Sequence, residues 1–314
     1  MVMPYHVMAG SGKGGTMRIR MGILAACFCW LGALSAAAEL SRYVPEEAFL
    51  AVKADGPRIW RLPQARRLLG LVEAANPKVE QVLMGDFASA ATADYLAFAV
   101  SGEVRILIRP ADGEPEKLFR SRCEWIRSNY GDRIRDEGEA PFPYIGVDGG
   151  RLMLAGDHLE WVFREFPEDA EPALPVKDSP LGKRLAAGAE PLKLIVTDRV
   201  RSAAGDKLRL PPFLAQVKQL EFVLDDSGKV PVLRLSGLYP DEAGARAAKG
   251  ALAGMSALAR QKVSAVGVSG KDGGLITATV KDPALGRVGE ITRVDPGLIR
   301  SLLAGGFLPV VSPV

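Results

Sequence analysis

Four short turns constrain this chain more than any other feature. Ser101-Gly102-Glu103, Asp148-Gly149-Gly150, Asp226-Ser227-Gly228 and Lys271-Asp272-Gly273-Gly274 each separate two apolar runs. A turn that short can join only antiparallel strands, because parallel neighbours need a crossover of about a dozen residues or more. Residues 95–100 with 104–109, 144–147 with 151–155, 220–224 with 230–238, and 263–268 with 275–280 are therefore predicted hairpins.

Helical spacing fills the intervals. A predicted strand at 49–54 is followed by Ala65, Leu68, Leu69, Val72 and Ala75, then by Val79, Val82, Leu83, Phe87 and Ala90. Leu118, Phe119, Cys123, Ile126 and Tyr130 share one helical face between the first two hairpins. Asp157-His158-Leu159-Glu160 has the form of a capping box opening a short helix. Residues 167–180, with four prolines and four acids, have the composition of a linker.

Beyond it come a strand at 192–197, a broken helical region at 199–217 with Pro211 and Pro212, and two more strands. An alanine-rich helix at 241–262, the last hairpin and a closing helix at 296–303 complete the chain. Strand, helix, hairpin, helix, hairpin thus occurs twice. The order implies an internal duplication with a period of roughly 125–145 residues. The expected fold is α+β: two related units, ferredoxin-like variants with mainly antiparallel sheets. They span 39–166 and 190–314, joined by a linker at 167–189.

The first 38 residues belong to neither unit. Gly10-Ser11-Gly12-Lys13-Gly14-Gly15 resembles the deviant Walker loops of chromosome-partitioning ATPases over about six residues. A phosphate loop needs a strand before it and Ser or Thr after the lysine; here Pro4 breaks the upstream run and Gly14 follows Lys13. From Met17 the pattern changes. Arg18 and Arg20 precede an uncharged apolar run from 21 to 34, and Ser35-Ala36-Ala37-Ala38 supplies small residues before Glu39. That is the form of a secretory signal peptide, with residues 1–16 as an upstream extension. An uncleaved anchor over 21–38 is the alternative. A lipoprotein cleavage box at Leu24-Ala25-Ala26-Cys27 is disfavoured, because the apolar run continues past Cys27.

Directly after this leader stands Val44-Pro45-Glu46-Glu47-Ala48-Phe49-Leu50-Ala51-Val52-Lys53-Ala54-Asp55-Gly56. The pattern resembles uncharacterised secreted bacterial families known only as domains of unknown function. The resemblance implies an exported, duplicated α+β protein and transfers no catalytic residue.

Charge and composition narrow the function classes. Of 40 basic and 37 acidic residues, Lys13, Arg18 and Arg20 lie in the leader, so the remainder is near neutral. Nothing there argues for nucleic acid. Past the leader, Cys123 and His158 are alone of their kinds. An intramolecular disulfide and a four-ligand Cys/His zinc site are thereby excluded, while a metal held by carboxylates stays open.

Four groups could carry chemistry. His158, beside Asp157 and Glu160, is the one histidine available as a general base; first-turn placement beside a cap is its bland alternative. Cys123, near Arg120 and Arg122, could be a nucleophile, although its spacing places it on an apolar face. Asp132, Asp136, Glu137 and Glu139 could hold a carboxylate pair of the glycosidase kind, or form a solvated loop with Arg133 and Arg135. Arg58, Arg61, Arg66 and Arg67 with Trp60 could bind an anion, or form a solvated helix face. None is assigned as a catalytic, cofactor-binding or metal residue.

The expectation is a secreted or periplasmic, non-enzymatic binding or envelope-associated protein with an unknown envelope or extracellular partner and no cofactor. The alternatives are a carboxylate-dependent hydrolase of an envelope polymer and a membrane-anchored accessory subunit.

Overall fold

The structure, a computed structural model, describes residues 40–63, 91–139, 141–147, 149–204, 216–227, 231–248, 268–269 and 275–280. The leader, both helical patterns between 65 and 90, most of the alanine-rich helix, the Asp272 turn and the closing helix lie outside the described residues.

The first strand, β1 (Leu50–Asp55), runs into a short helix, α1 (Gly56–Trp60). Asp55 caps it by accepting the Arg58 N–H at 2.5 Å. The hairpin of β2 (Ala93–Val100) and β3 (Glu103–Pro110) follows, then the amphipathic α2 (Pro115–Tyr130). A four-stranded meander comes next: β4 (Ile134–Gly138), β5 (Tyr144–Val147), β6 (Gly150–Ala155) and β7 (His158–Phe163). Past an irregular segment lie α3 (Pro180–Ala186), β8 (Leu192–Thr197), α4 (Arg199–Ala204), β9 (Gln219–Asp225) and β10 (Val232–Leu238). β11 (Val268–Ser269) and β12 (Leu275–Val280) complete the described strands.

All of them join one sheet in the order β11-β12-β10-β9-β8-β1-β2-β3-β7-β6-β5-β4. Its pairings are antiparallel, as the short turns require, and β1 pairs with β8 at the centre. The fold is α+β, as expected.

Two local expectations are corrected. A ferredoxin-like unit splits its βαβ by inserting a strand between the first two, but β1 pairs directly with β2 from Leu50↔Ala99 to Asp55↔Asp94. Strand order follows chain order from β1 to β3, and β7, β6, β5 and β4 then run in reverse. The supposed capping box at Asp157-His158-Leu159-Glu160 is the start of β7, not of a helix. Gly156, at φ +69, opens a two-residue turn that brings Ala155 opposite His158. Past the turn, alternate residues face opposite ways, and Trp161, Val162 and Phe163 favour the strand.

Across β8, β1, β2 and β3 the sheet is covered on both faces. On one, α1 and α2 pack over Leu50, Val52, Ile106, Leu159 and Trp161. On the other, Leu40, Tyr43 and Val44 join Leu181 and Leu185 of α3 over Ala51, Leu96, Phe98, Leu107 and Ile195. Gly182 lets α3 approach this N-terminal segment: a Cβ there would stand 2.4 Å from the Ser41 carbonyl oxygen.

Candidate functional site

On the second face, β3, β6 and β7 turn charged side chains inward: Arg105, Arg151, His158 and Glu160. Arg151 is 8 %, His158 2 % and Glu160 0 % exposed. Such burial is unfavourable unless each group is paired and hydrogen-bonded. Their partners lie largely in the backbone of residues 167–176, which crosses this face as a strap.

Both Glu160 carboxylate oxygens accept the Ala173 N–H, at 2.9 Å each. Arg105 Nη1 donates to Glu160 Oε2 at 3.0 Å and to the Glu171 carbonyl at 2.7 Å. Arg151 Nη1 donates to the Glu168 carbonyl at 2.6 Å, and its Nη2 to Asp136 at 2.8 Å. Its guanidinium also lies 3.8 Å from the centre of the Tyr144 ring. Ala170 is buried against Met153 and Val162. Further along, the Val176 N–H donates to the Arg42 carbonyl at 2.6 Å. The proline-rich stretch expected as a linker is thus tied to the sheet by its main chain.

His158 sits at one end of this arrangement. Its Nδ1 is 2.9 Å from Asp157 Oδ1 and its Nε2 3.1 Å from Glu160 Oε1. An ionised carboxylate only accepts hydrogen bonds, so the form of the ring that can satisfy both partners at once is the doubly donating imidazolium. Burial pulls its pKa down, but the bonds to Glu160 and Asp157 prevail and raise it. Burial likewise pushes Asp157 up, yet His158 and Arg109 hold its carboxyl below the usual range. The Tyr43 ring closes over the imidazole at 4.9 Å between centroids.

A second charged group lies towards β8. Lys53 and Lys193 are opposite each other in register, and each is 4 % exposed. Lys193 Nζ donates to the carbonyls of Arg184 at 3.2 Å and Ala187 at 2.5 Å, closing the C-terminus of α3. Lys53 Nζ reaches the Gly188 carbonyl at 3.2 Å; burial and the neighbouring Lys193 charge lower its pKa.

The other candidates from the sequence are not brought together. Cys123 is buried on the apolar side of α2, and burial pushes its thiol up to about 11, so it is no thiolate at neutral pH. The acidic stretch is largely the strand β4, not a loop; Asp136 pairs with Arg151 and Glu137 with Arg127, while Asp132 and Glu139 are exposed. Arg58 is paired with Asp226, Trp60 packs against the core, and Arg66 and Arg67 lie outside the described residues. Among the described residues, no three His, Cys, Asp or Glu side chains could hold a metal ion. Among them too, no helix is long and apolar enough to cross a membrane.

Arg105 and Arg151 were not among the candidates from the sequence, and Glu160 was there only as a neighbour of His158, yet all three left a signal. Each interrupts an apolar strand run at an inward position: V-R-I-L, G-R-L-M and L-E-W-V. The exposed large apolar residues of this region, Phe166 at 58 % and Leu174 at 80 %, flank or belong to the strap. Beside Phe166 lies an open groove of about 470 Å³, lined by Gly102, Glu103, Arg164 and Asp169 among others.

No family model matches the chain. A short stretch is similar to acetylglutamate kinases. It is 46% identical over 52 residues to that of Alkaliphilus metalliredigens, covering 17% of this chain and 16% of the relative. With the Bacillus subtilis protein it shares 45% over 58 residues, 18% and 22% of the two chains. With that of Deinococcus radiodurans it shares 54% over 50 residues, 16% and 20%. The chain therefore spans about a fifth of the length of these curated relatives. Among solved structures, crystal form I of TP0453 aligns with 82% of this chain and 98% of its own, at 12% identity and a TM-score of 0.45.

Proposed function

We propose that this chain is a secreted or periplasmic binding or envelope-associated protein that works without catalysis, and that the strap is its docking surface. The observation that carries this reading is how the buried reactive groups are used. His158, Glu160, Arg105 and Arg151 spend their hydrogen bonds on one another, on neighbouring carboxylates and on the strap backbone. A pinned backbone that offers Phe166 and Leu174 to solvent is pre-organised for a partner, because little ordering entropy remains to be lost on binding.

Photo-crosslinking residues placed at Phe166 and Leu174 in the native host are expected to give discrete adducts. The same residue at Lys117, 72% exposed on α2, is expected to give none. Adducts at Lys117 alone would remove the strap from the reading. Export predicts a mature N-terminus near Glu39 by mass spectrometry; an intact mass retaining residues 17–38 would support the anchored alternative.

We also infer that the two halves descend from one unit. Outward from the β1–β8 pair, β1-β2-β3 and β8-β9-β10 run in the same chain order. Each first strand leads through an aspartate, Asp55 or Asp198, into a short helix. An experimental structure in which β1–β3 and β8–β10 failed to superpose would defeat this inference.

A further inference from the structure

We propose that Asp157, His158 and Glu160 form a pH-operated latch that keeps the strap closed while His158 is protonated and lets it lift as the pH rises.

The strap covers Glu160. Its carboxylate is 0% exposed, with the strap's Ala173 N–H directly on it. Two cations stabilise it there, the His158 ring and Arg105. Arg105 is shared with Glu103 at 2.5 Å. Asp157, by contrast, is 53% exposed, and Arg109 stands 3.8 Å from it. Facing the ring from the N-terminal segment are Tyr43 and, through the Tyr43 hydroxyl, Arg42 at 3.1 Å. The β6 residue opposite His158 is Ala155, which has no charge.

A neutral imidazole has one N–H for two carboxylates. Asp157 can turn to water and Glu160 cannot. Once the ring loses its charge, its single N–H is contested by Asp157, and the cation left beside the buried Glu160 is an Arg105 shared with Glu103. It regains hydration only if its cover moves, and the cover is the strap. Burying a charge without its partner is strongly unfavourable, so deprotonation favours the lifted state. The raised pKa of His158 has the matching sign: closure binds the proton, and proton loss opposes closure. The regulatory consequence rests on the strap being the docking surface, whereas the latch is read on the free protein, so the two readings fail separately.

The test is hydrogen exchange of the Ala173 amide in the intact protein between about pH 6 and pH 9, corrected for the intrinsic pH dependence of exchange. Protection is expected to be flat below the ordinary imidazole value. Above it, protection falls by up to about tenfold per pH unit until the raised value of folded His158 is passed. The Val176 amide should follow. Asp157→Asn removes one of the two carboxylates and, Asp157 being exposed, leaves the fold intact; it should shrink the fall, because the neutral ring can then keep its one N–H on Glu160, which narrows the gap between the closed and open pKa values. His158→Gln should abolish it. Flat wild-type protection across the range would overturn the latch, as would an undiminished fall in Asp157→Asn.

Discussion

The two faces of the sheet are held by different physics. Under α1 and α2, alternate residues of β1, β3 and β7 deliver Leu50, Val52, Ile106, Leu159 and Trp161 into a continuous apolar layer. That attraction has no direction, and pH does not touch it. On the other face, the same strands deliver Lys53 beside the end of α3 and Arg105 and Glu160 beneath the strap, and their burial is tolerable only because each meets a partner. Leu159 and Glu160 are chain neighbours, yet one serves the first face and the other the second. A face built from directional charged contacts is conditional, and a conditional face is where a protein can bind or respond.

The largest effect is expected at Glu160. Glu160→Ala takes from Arg105 and His158 the buried one of their two carboxylates and frees the Ala173 N–H, and should remove about 3–5 kcal/mol in urea unfolding. A loss under about 1 kcal/mol would mean that the strap face is wet and the contrast between the faces is wrong. Leu159→Ala, one residue away, should remove about 2–4 kcal/mol through a cavity under α2. The sharper contrast lies in pH. The Leu159 loss should be the same across neutral pH, whereas the Glu160 loss should shrink as the pH rises and His158 discharges in the wild type.

His158→Ala comes next. From its sequence setting this residue reads as a first-turn helix position that tolerates replacement at well under about 1 kcal/mol. In β7 it is 2% exposed and joined to two carboxylates, so a loss of about 2 kcal/mol is expected. The sign with pH follows from the raised pKa. The stabilisation is full below the ordinary imidazole value near 6.5 and is lost as the pH climbs through the folded value. Urea midpoints for wild type and variant should therefore converge towards alkaline pH. Divergence would show that His158 is neutral when folded.

How much of this was legible depended on range along the chain. The hairpins at 95–109 and 144–155, the strand at 192–197 and the face of α2 followed from turns and periodicity, because their causes are local. The direct pairing of β1 with β2, and of β1 with β8, depends on contacts between distant segments that no local pattern encodes. His158 was misplaced because a capping box and a strand start share the same residue types, and the Gly156 turn before it decides the outcome. The role of residues 167–176 was hidden for another reason. Prolines and acids do read as a linker, and what makes the segment a strap is the set of side chains waiting for its backbone on β3, β6 and β7.

The smallest stability effect is expected on the strap itself, and it separates the strap's two surfaces. Inward, Ala170 is 1% exposed against Met153 and Val162, and the backbone of 168–173 is engaged by Arg105, Arg151 and Glu160. Outward, Leu174 is 80% exposed and gives nothing to the core. Replacing a side chain that solvent already surrounds changes little between the folded and unfolded chain, so Leu174→Ser should leave the urea midpoint within about 0.5 kcal/mol of wild type. The same substitution removes an apolar group from the proposed docking surface and should abolish the adducts that form through Phe166. A large loss of stability in Leu174→Ser would instead show that this side chain packs inward and that the strap has no outer surface to offer.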